Sequence, residues 1–233
     1  MTSNITSADV GVTTAPAVRS EATDTRTRTL LACGAAAGPL FIVVAVAQAL
    51  TRGGFDPSKH PLSLLSLGNL GWIQIANFVL TGLLFVAASV GMRRALRSRG
   101  RASTWGPRLI GAFGVALIAG GVFVADAGLG FPAGTPEGVP DEFSWHGIVH
   151  AVAPVVGFLG LTLACFVFAR RSVALKQKGW ATFSVATGIA IQALGAIPNV
   201  NGNFIPLWAA MVLGFGWASA QAARLRAEVR GND

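Results

Sequence analysis

From His146 to Ala169 the chain reads HGIVHAVAPVVGFLGLTLACFVFA, with no Lys, Arg, Asp or Glu, and Arg170-Arg171 follow at once. At ~1.5 Å of rise per residue, a helix of this length crosses the ~30 Å of a bilayer's hydrocarbon. Five further stretches share its character: Thr29–Leu50, Trp72–Met92, Leu109–Leu129, Trp180–Ile197 and Phe204–Ala223. Asp126 is the one charged residue inside them, and Pro198 closes the short fifth stretch. The sequence therefore predicts an all-α membrane protein, a bundle of six transmembrane helices over 29–223. A polar tail over 1–28, expected to be disordered, precedes it, and a short tail over 224–233 follows.

The composition of the whole chain agrees. Of 233 residues, 52% are hydrophobic and 12% are charged, against about 25% charged in an average soluble domain. That excludes a disordered chain and argues against an ordinary soluble enzyme. The first 28 residues contain no apolar run of their own, so the first span is expected to serve as an uncleaved insertion signal. Glycine is abundant, at 29 residues. Gly34-x-x-x-Gly38 has the small-residue spacing that lets helices approach closely. The same Gly-rich faces would suit a second copy of the chain in a homo-oligomer.

The net charge of +8 raises nucleic acid as a partner, so its distribution matters. Sixteen of the basic residues lie in the N-terminal tail, in 93–108, in 170–178 and in 224–230, alternating with connections that hold only Arg52 and Lys59. This asymmetry predicts that both termini are cytoplasmic. The basic residues then set topology and touch anionic membrane lipid, and no nucleic acid is needed to explain them. The preference for Arg over Lys, with heavy Ala and Gly, favours a bacterial plasma membrane. Trp72, Trp145 and Trp208 are expected at the outer boundary, and Trp105, Trp180 and Trp217 at the inner one. Cys33 and Cys165 sit near cytoplasmic ends, where thiols stay reduced.

The polar residues at membrane depth are uneven. His60, His146 and His150, Asp126, Gln48, Gln74, Asn77 and Thr81 all fall toward the outer side. Polar groups in a membrane protein usually face the bundle interior or a water-filled cavity. An outer polar pocket is therefore expected, built from Arg52, Asp56, Ser63, Gln74, Asn77, Asp126, His146 and His150. In the first outer connection, Pro61 could open a short helix whose leucines face the lipid interface. His146 and His150, at i and i+4, project from one helix face. Pro154 removes the hydrogen bond that the His150 carbonyl would otherwise accept.

At these segments the chain resembles a bacterial membrane family known only as domain of unknown function 998. The resemblance rests on Thr51-Arg-Gly-Gly-Phe-Asp56 with His60-Pro-Leu-Ser63, Gly71-Trp-Ile-Gln74, Gly121-Val-Phe-Val-Ala-Asp126 with Gly130-Phe-Pro132, and Trp145-His-Gly-Ile-Val-His150. Ala127 stands where the family pattern usually has proline. The resemblance covers roughly Leu30–Arg224; it supports the fold and carries no activity. The three histidines with Asp126 and a serine are also loosely similar to the residue set of the ceramidase and adiponectin-receptor-like zinc hydrolases, although span count and order differ.

Two functions follow as expectations. In the first, the protein is non-enzymatic and takes no cofactor. Its outer network is structural or binds a lipid headgroup or small solute, with Arg52–Asp56 and Asp126–His146 or Asp126–His150 as ion pairs. In the alternative, it is a zinc-dependent lipid hydrolase with His60, His146 and His150 as metal ligands and Asp126 as base or orienting group. Convergence of the three imidazoles on one point would separate the two.

Overall fold

The computed structural model describes residues 15–97, 104–196 and 202–230, with side chains from Asp24 onward. The described residues form six α-helices: α1 (Ala15–Thr51), α2 (Gly71–Arg97), α3 (Trp105–Val122), α4 (Trp145–Ala174), α5 (Lys178–Ala196) and α6 (Ile205–Arg230). A 3₁₀ turn, Leu62–Ser66, lies between α1 and α2. Four helices are long and apolar enough to cross a membrane: α1 from Asp24, α2, α3 and α4. α5 is shorter, and the last turns of α6 carry Arg224, Arg226, Glu228 and Arg230.

Each helix packs against the next in sequence, and α6 returns against α1, which closes a ring. Neighbours run antiparallel: Gln48 near the end of α1 meets Gln74 near the start of α2, and His150 near the start of α4 meets Gly120 near the end of α3. Phenylalanines fill the centre. Phe41 stacks on Phe215 at 4.4 Å between centroids, and Phe113 meets Phe215 edge-on at 5.1 Å. Phe85 packs on Phe113 at 5.3 Å. The predicted close approach through Gly34-x-x-x-Gly38 is present on α1. A Cβ at Gly34 would press on Ala88 of α2 and Ala222 of α6, and one at Gly38 on the Phe215 backbone of α6.

The two ends of the ring differ. At the basic end, Arg171 of α4 donates to Glu228 of α6 at 2.8 Å. Arg224 lies 3.2 Å from the same carboxylate, donates to Ser172, and covers the Trp180 ring. These contacts tie α4, α5 and α6 together. The opposite, histidine-bearing end is closed by the connections that follow α1 and α3, and Phe204 N–H donates to the Ser58 carbonyl at 2.9 Å there.

Several expectations are corrected here. The helical backbone of α1 reaches back to Ala15, into the tail expected to be disordered, because no helix breaker follows Pro16 before the span begins. α3 stops at Val122 rather than Leu129: Phe123 turns extended (φ −95°, ψ 101°), so Asp126 stands in a connection and not in a helix. Leu64 and Leu65 are buried against Phe55 and Phe131 instead of facing lipid. Trp217, expected at the inner boundary, is fully buried and donates its indole N–H to Ser184 at 3.0 Å. Cys165 sits in the core and Cys33 is half-buried, both as free thiols.

Candidate functional site

The histidine-bearing end is built from side chains that satisfy backbone groups. Arg52 follows α1 and donates to the carbonyls of Leu65 (2.6 Å) and Leu67 (2.5 Å). Its guanidinium also lies 5.2 Å from the centre of the Phe131 ring. It thereby staples the 3₁₀ turn to the loop after α3. Asp56 accepts from the backbone N–H and the hydroxyl of Ser58. Those bonds, the hydroxyl's first, hold its carboxyl below the usual carboxylate range. The expected Arg52–Asp56 ion pair is replaced by these local partners.

His60 is fixed in one tautomer. The Asp56 N–H donates to Nδ1 at 2.9 Å, so Nε2 carries the proton and donates to the Leu129 carbonyl, also at 2.9 Å. Leu129 holds a left-handed backbone (φ 59°), an uncommon conformation for a bulky residue. His60 therefore joins the first connection to a strained point of the second. Lys59 and Glu137 bridge the same two connections at 2.7 Å. The mutual hydrogen bond pushes the lysine pKa up and the glutamate pKa down. Both groups are well exposed, and such pairs contribute little to stability.

The start of α4 shows the same economy. Ser144 is the N-cap, and its hydroxyl accepts from Gly147 N–H at 3.0 Å. That hydroxyl donates to Asp126 Oδ1 at 2.6 Å, and Ser144 N–H donates to Oδ2 at 2.9 Å. The carboxylate lies so close over the first turn of α4 that a Cβ at Gly147 would collide with it. His146 and His150 do share a face, as i and i+4 requires, and that face reaches back to the end of α3. His146 Nδ1 donates to the Val124 carbonyl at 3.0 Å. His150 Nδ1 lies 2.7 Å from the Phe123 carbonyl and 3.0 Å from that of Gly120. Carbonyl oxygens only accept, so in both rings Nδ1 bears the proton. Asp126 bonds to Ser144, not to either histidine as the ion-pair reading had it.

Among the described residues, no three His, Cys, Asp or Glu side chains are grouped to hold a metal ion. The alternative zinc set is not assembled, because the loop closure it makes occupies both ring nitrogens of His60. Gln74 and Asn77 leave the expected pocket as well. They face α1, where Gln48 donates to Gln74 Oε1 at 2.7 Å and Asn77 donates to the Phe41 carbonyl at 3.1 Å. The polar stripe on α2 is a seam between helices.

Beneath these loops, inside the ring, lies a cavity of about 390 Å³. Phe41, Phe113 and Phe215 form part of its lining, as do Leu117 and Gly120 of α3 and Pro154 of α4. Of the expected site residues, only Ser63 and His150 border it. No Lys, Arg, Asp or Glu does. Val155 and Ala196 line it too, and both are exposed, Val155 at 67%. With Pro154 and Gln192, which are exposed as well, they put the exposed part of the lining on α4 and α5.

The family model described as protein of unknown function DUF998 matches residues 35–224, all six helices from within α1 to the last turns of α6. The chain belongs to the DUF998 family. No curated protein and no solved structure matches it. The motifs that suggested this membership are the parts that close one end of the DUF998 bundle. Arg52, His60, Asp126 and His146 all bind the chain to itself across the loops. The sequence led to a polar pocket at this end; the cavity is instead mostly apolar, and Gln192, which also lines it, donates to Thr162 Oγ1 at 2.8 Å. A void left by six helices has no linear signature. Ser144 was legible in principle, since a serine just before an apolar run is a helix-start signal.

Proposed function

We propose that this DUF998 protein is a six-span protein of a bacterial plasma membrane that binds a lipid at the outer leaflet without transforming it. One observation carries the reading: a cavity of about 390 Å³, lined by no Lys, Arg, Asp or Glu, whose exposed lining residues lie on α4 and α5. Its size falls within the ~300–1,000 Å³ range of small-molecule sites. Its apolar walls suit a hydrocarbon chain entering sideways from the bilayer. Arg52, His60, Asp126 and His146 act as closures that hold the loops over this chamber, and not as chemical groups. The zinc-hydrolase reading lacks a ligand set among the described residues.

The orientation follows from the charge alternation. Reporter fusions at Gly100 and Ser172 should report cytoplasm, and a fusion at Gly134 the exterior. A cytoplasmic signal at Gly134 overturns the orientation.

Gly120 provides the test of binding. It is buried on the cavity wall, and a Cβ there meets nothing within 4 Å, so a larger side chain grows into the void. Gly120→Leu should abolish lipid co-purification, read by native mass spectrometry of the detergent-solubilised protein. Thermal stability should be unchanged or higher, because leucine favours the helix by about 1 kcal/mol over glycine. If the variant retains lipid as the wild type does, the cavity is not the binding site.

A further inference from the structure

The cavity's few polar groups restrict what it holds. His150 keeps 6% of its surface exposed and borders the cavity. Its Nδ1–H is committed to the carbonyls of Phe123 and Gly120 at the end of α3. A neutral imidazole with its proton on Nδ1 carries a lone pair on Nε2. Among the described residues Nε2 has no hydrogen-bond partner, and it is not among the sealed buried atoms. An imidazolium in an uncharged apolar chamber is disfavoured, since its nearest carboxylate, Asp126, is spent on Ser144. His150 therefore offers the chamber an acceptor and no donor.

Gln192 repeats the pattern on the exposed part of the lining. Its amide N–H₂ donates to Thr162 Oγ1 at 2.8 Å and lies 3.4 Å from the Phe158 carbonyl. The carbonyl partner fixes which end of the amide is nitrogen, so Oε1 is the end left for a ligand. Gln192 meets α4 at Phe158 and Thr162, two turns or more (~12 Å) beyond His150, so the two acceptors are separate. Ser63 adds a hydroxyl to the lining, and no ionised side chain lines the chamber.

We infer that the ligand is an uncharged long-chain lipid that presents a hydrogen-bond donor, a hydroxyl group, to His150 Nε2. This rests on the lipid-cavity reading and narrows it. An alcohol at the end of a hydrocarbon chain gives its single O–H to that lone pair and places its tail among the phenylalanines. A quinone, ketone or ether of the same length offers only acceptors; it can take the Ser63 hydroxyl but leaves the buried lone pair of His150 unmatched. Such a mismatch is disfavoured more strongly than a satisfied bond is favoured. A charged headgroup finds no counter-ion in the chamber.

The test uses the full chain in detergent, titrated with hexadecanol or with hexadecyl methyl ether and read by native mass spectrometry. The two probes share the tail and differ in the donor. The alcohol should bind roughly tenfold more tightly, the difference expected of one hydrogen bond. Gln192→Leu should keep that preference, because His150 remains. His150→Leu should lose most of it while still binding the ether; if that variant does not fold, Ser63→Ala decides, since it should keep the preference and a loss there would assign the hydroxyl to Ser63 and overturn the inference. Equal binding of alcohol and ether, or a preference for ether, overturns this inference and leaves the lipid-cavity reading intact. Failure of both probes to bind overturns that reading with it.

Discussion

Gly38→Val should lower the thermal unfolding midpoint of the detergent-purified protein by on the order of 10 °C. Gly38 sits where α1 crosses α6, and the ring closes through that crossing. A Cβ there would lie 2.5 Å from the Phe215 carbonyl oxygen and 2.6 Å from Ser219 Oγ. The first obstacle is backbone and does not rotate away. Ser219 also enters the helical ladder of α1: its hydroxyl accepts from Gly38 N–H at 2.9 Å and donates to the Gly34 carbonyl at 2.8 Å. Pro39 follows, and it brings no N–H of its own to the ladder. A valine must push α6 outward and break both Ser219 bonds. Overpacking of this kind costs about 3 kcal/mol, and each neutral hydrogen bond about 1 kcal/mol more. Ser219→Ala should show only the smaller, hydrogen-bond part. Gly53→Ala, with nothing within 4 Å of the added carbon, should leave the midpoint unchanged. A wild-type midpoint in Gly38→Val would mean that α1 and α6 do not meet as described.

The apolar stretches were legible because hydropathy is a property of consecutive residues, and each stretch coincides with one helix. Where a helix stops is a different matter. The run Phe123–Leu129 stays apolar enough to read as membrane, yet the chain leaves the helix at Phe123 because His146 and His150 draw off carbonyls there. That competition is tertiary and invisible to a window. Trp217 failed as a boundary marker for a related reason. Its neighbours on α6 are small, and Ser184 of α5 supplies the one acceptor its indole needs. The polar residues expected to meet one another bind elsewhere. Arg52, His60, His146 and His150 each had a partner waiting on the main chain, and a side-chain inventory does not count main-chain carbonyls. The His-x-x-x-His spacing did specify one face. What lies opposite that face is the end of α3, which only the packing of α3 against α4 reveals.

Asp126→Ala is the second large effect expected, and its pH dependence shows which part of the residue acts. The carboxylate accepts two hydrogen bonds from Ser144, and it sits at the N-terminus of α4, where the helix dipole favours negative charge. Bonds to an ionised acceptor are the stronger kind, but the group is partly exposed, so the loss should be about 2 kcal/mol near neutrality. The Ser144 hydroxyl, foremost, holds the Asp126 carboxyl below its ordinary range against the opposing effect of burial. A carboxyl whose pKa is lowered on folding stabilises the fold fully above its unfolded value, near about 3.9, and loses that contribution as pH falls through the lower folded value. The midpoints of wild type and Asp126→Ala should therefore stand apart at pH 7 and converge below about pH 4. Asp126→Asn should fall between them at neutrality, because its amide keeps one acceptor oxygen and turns a donor toward Ser144. A gap that stays constant through the acid range would assign the residue a packing role alone, and the N-terminus of α4 would then be held by Ser144 without the charge.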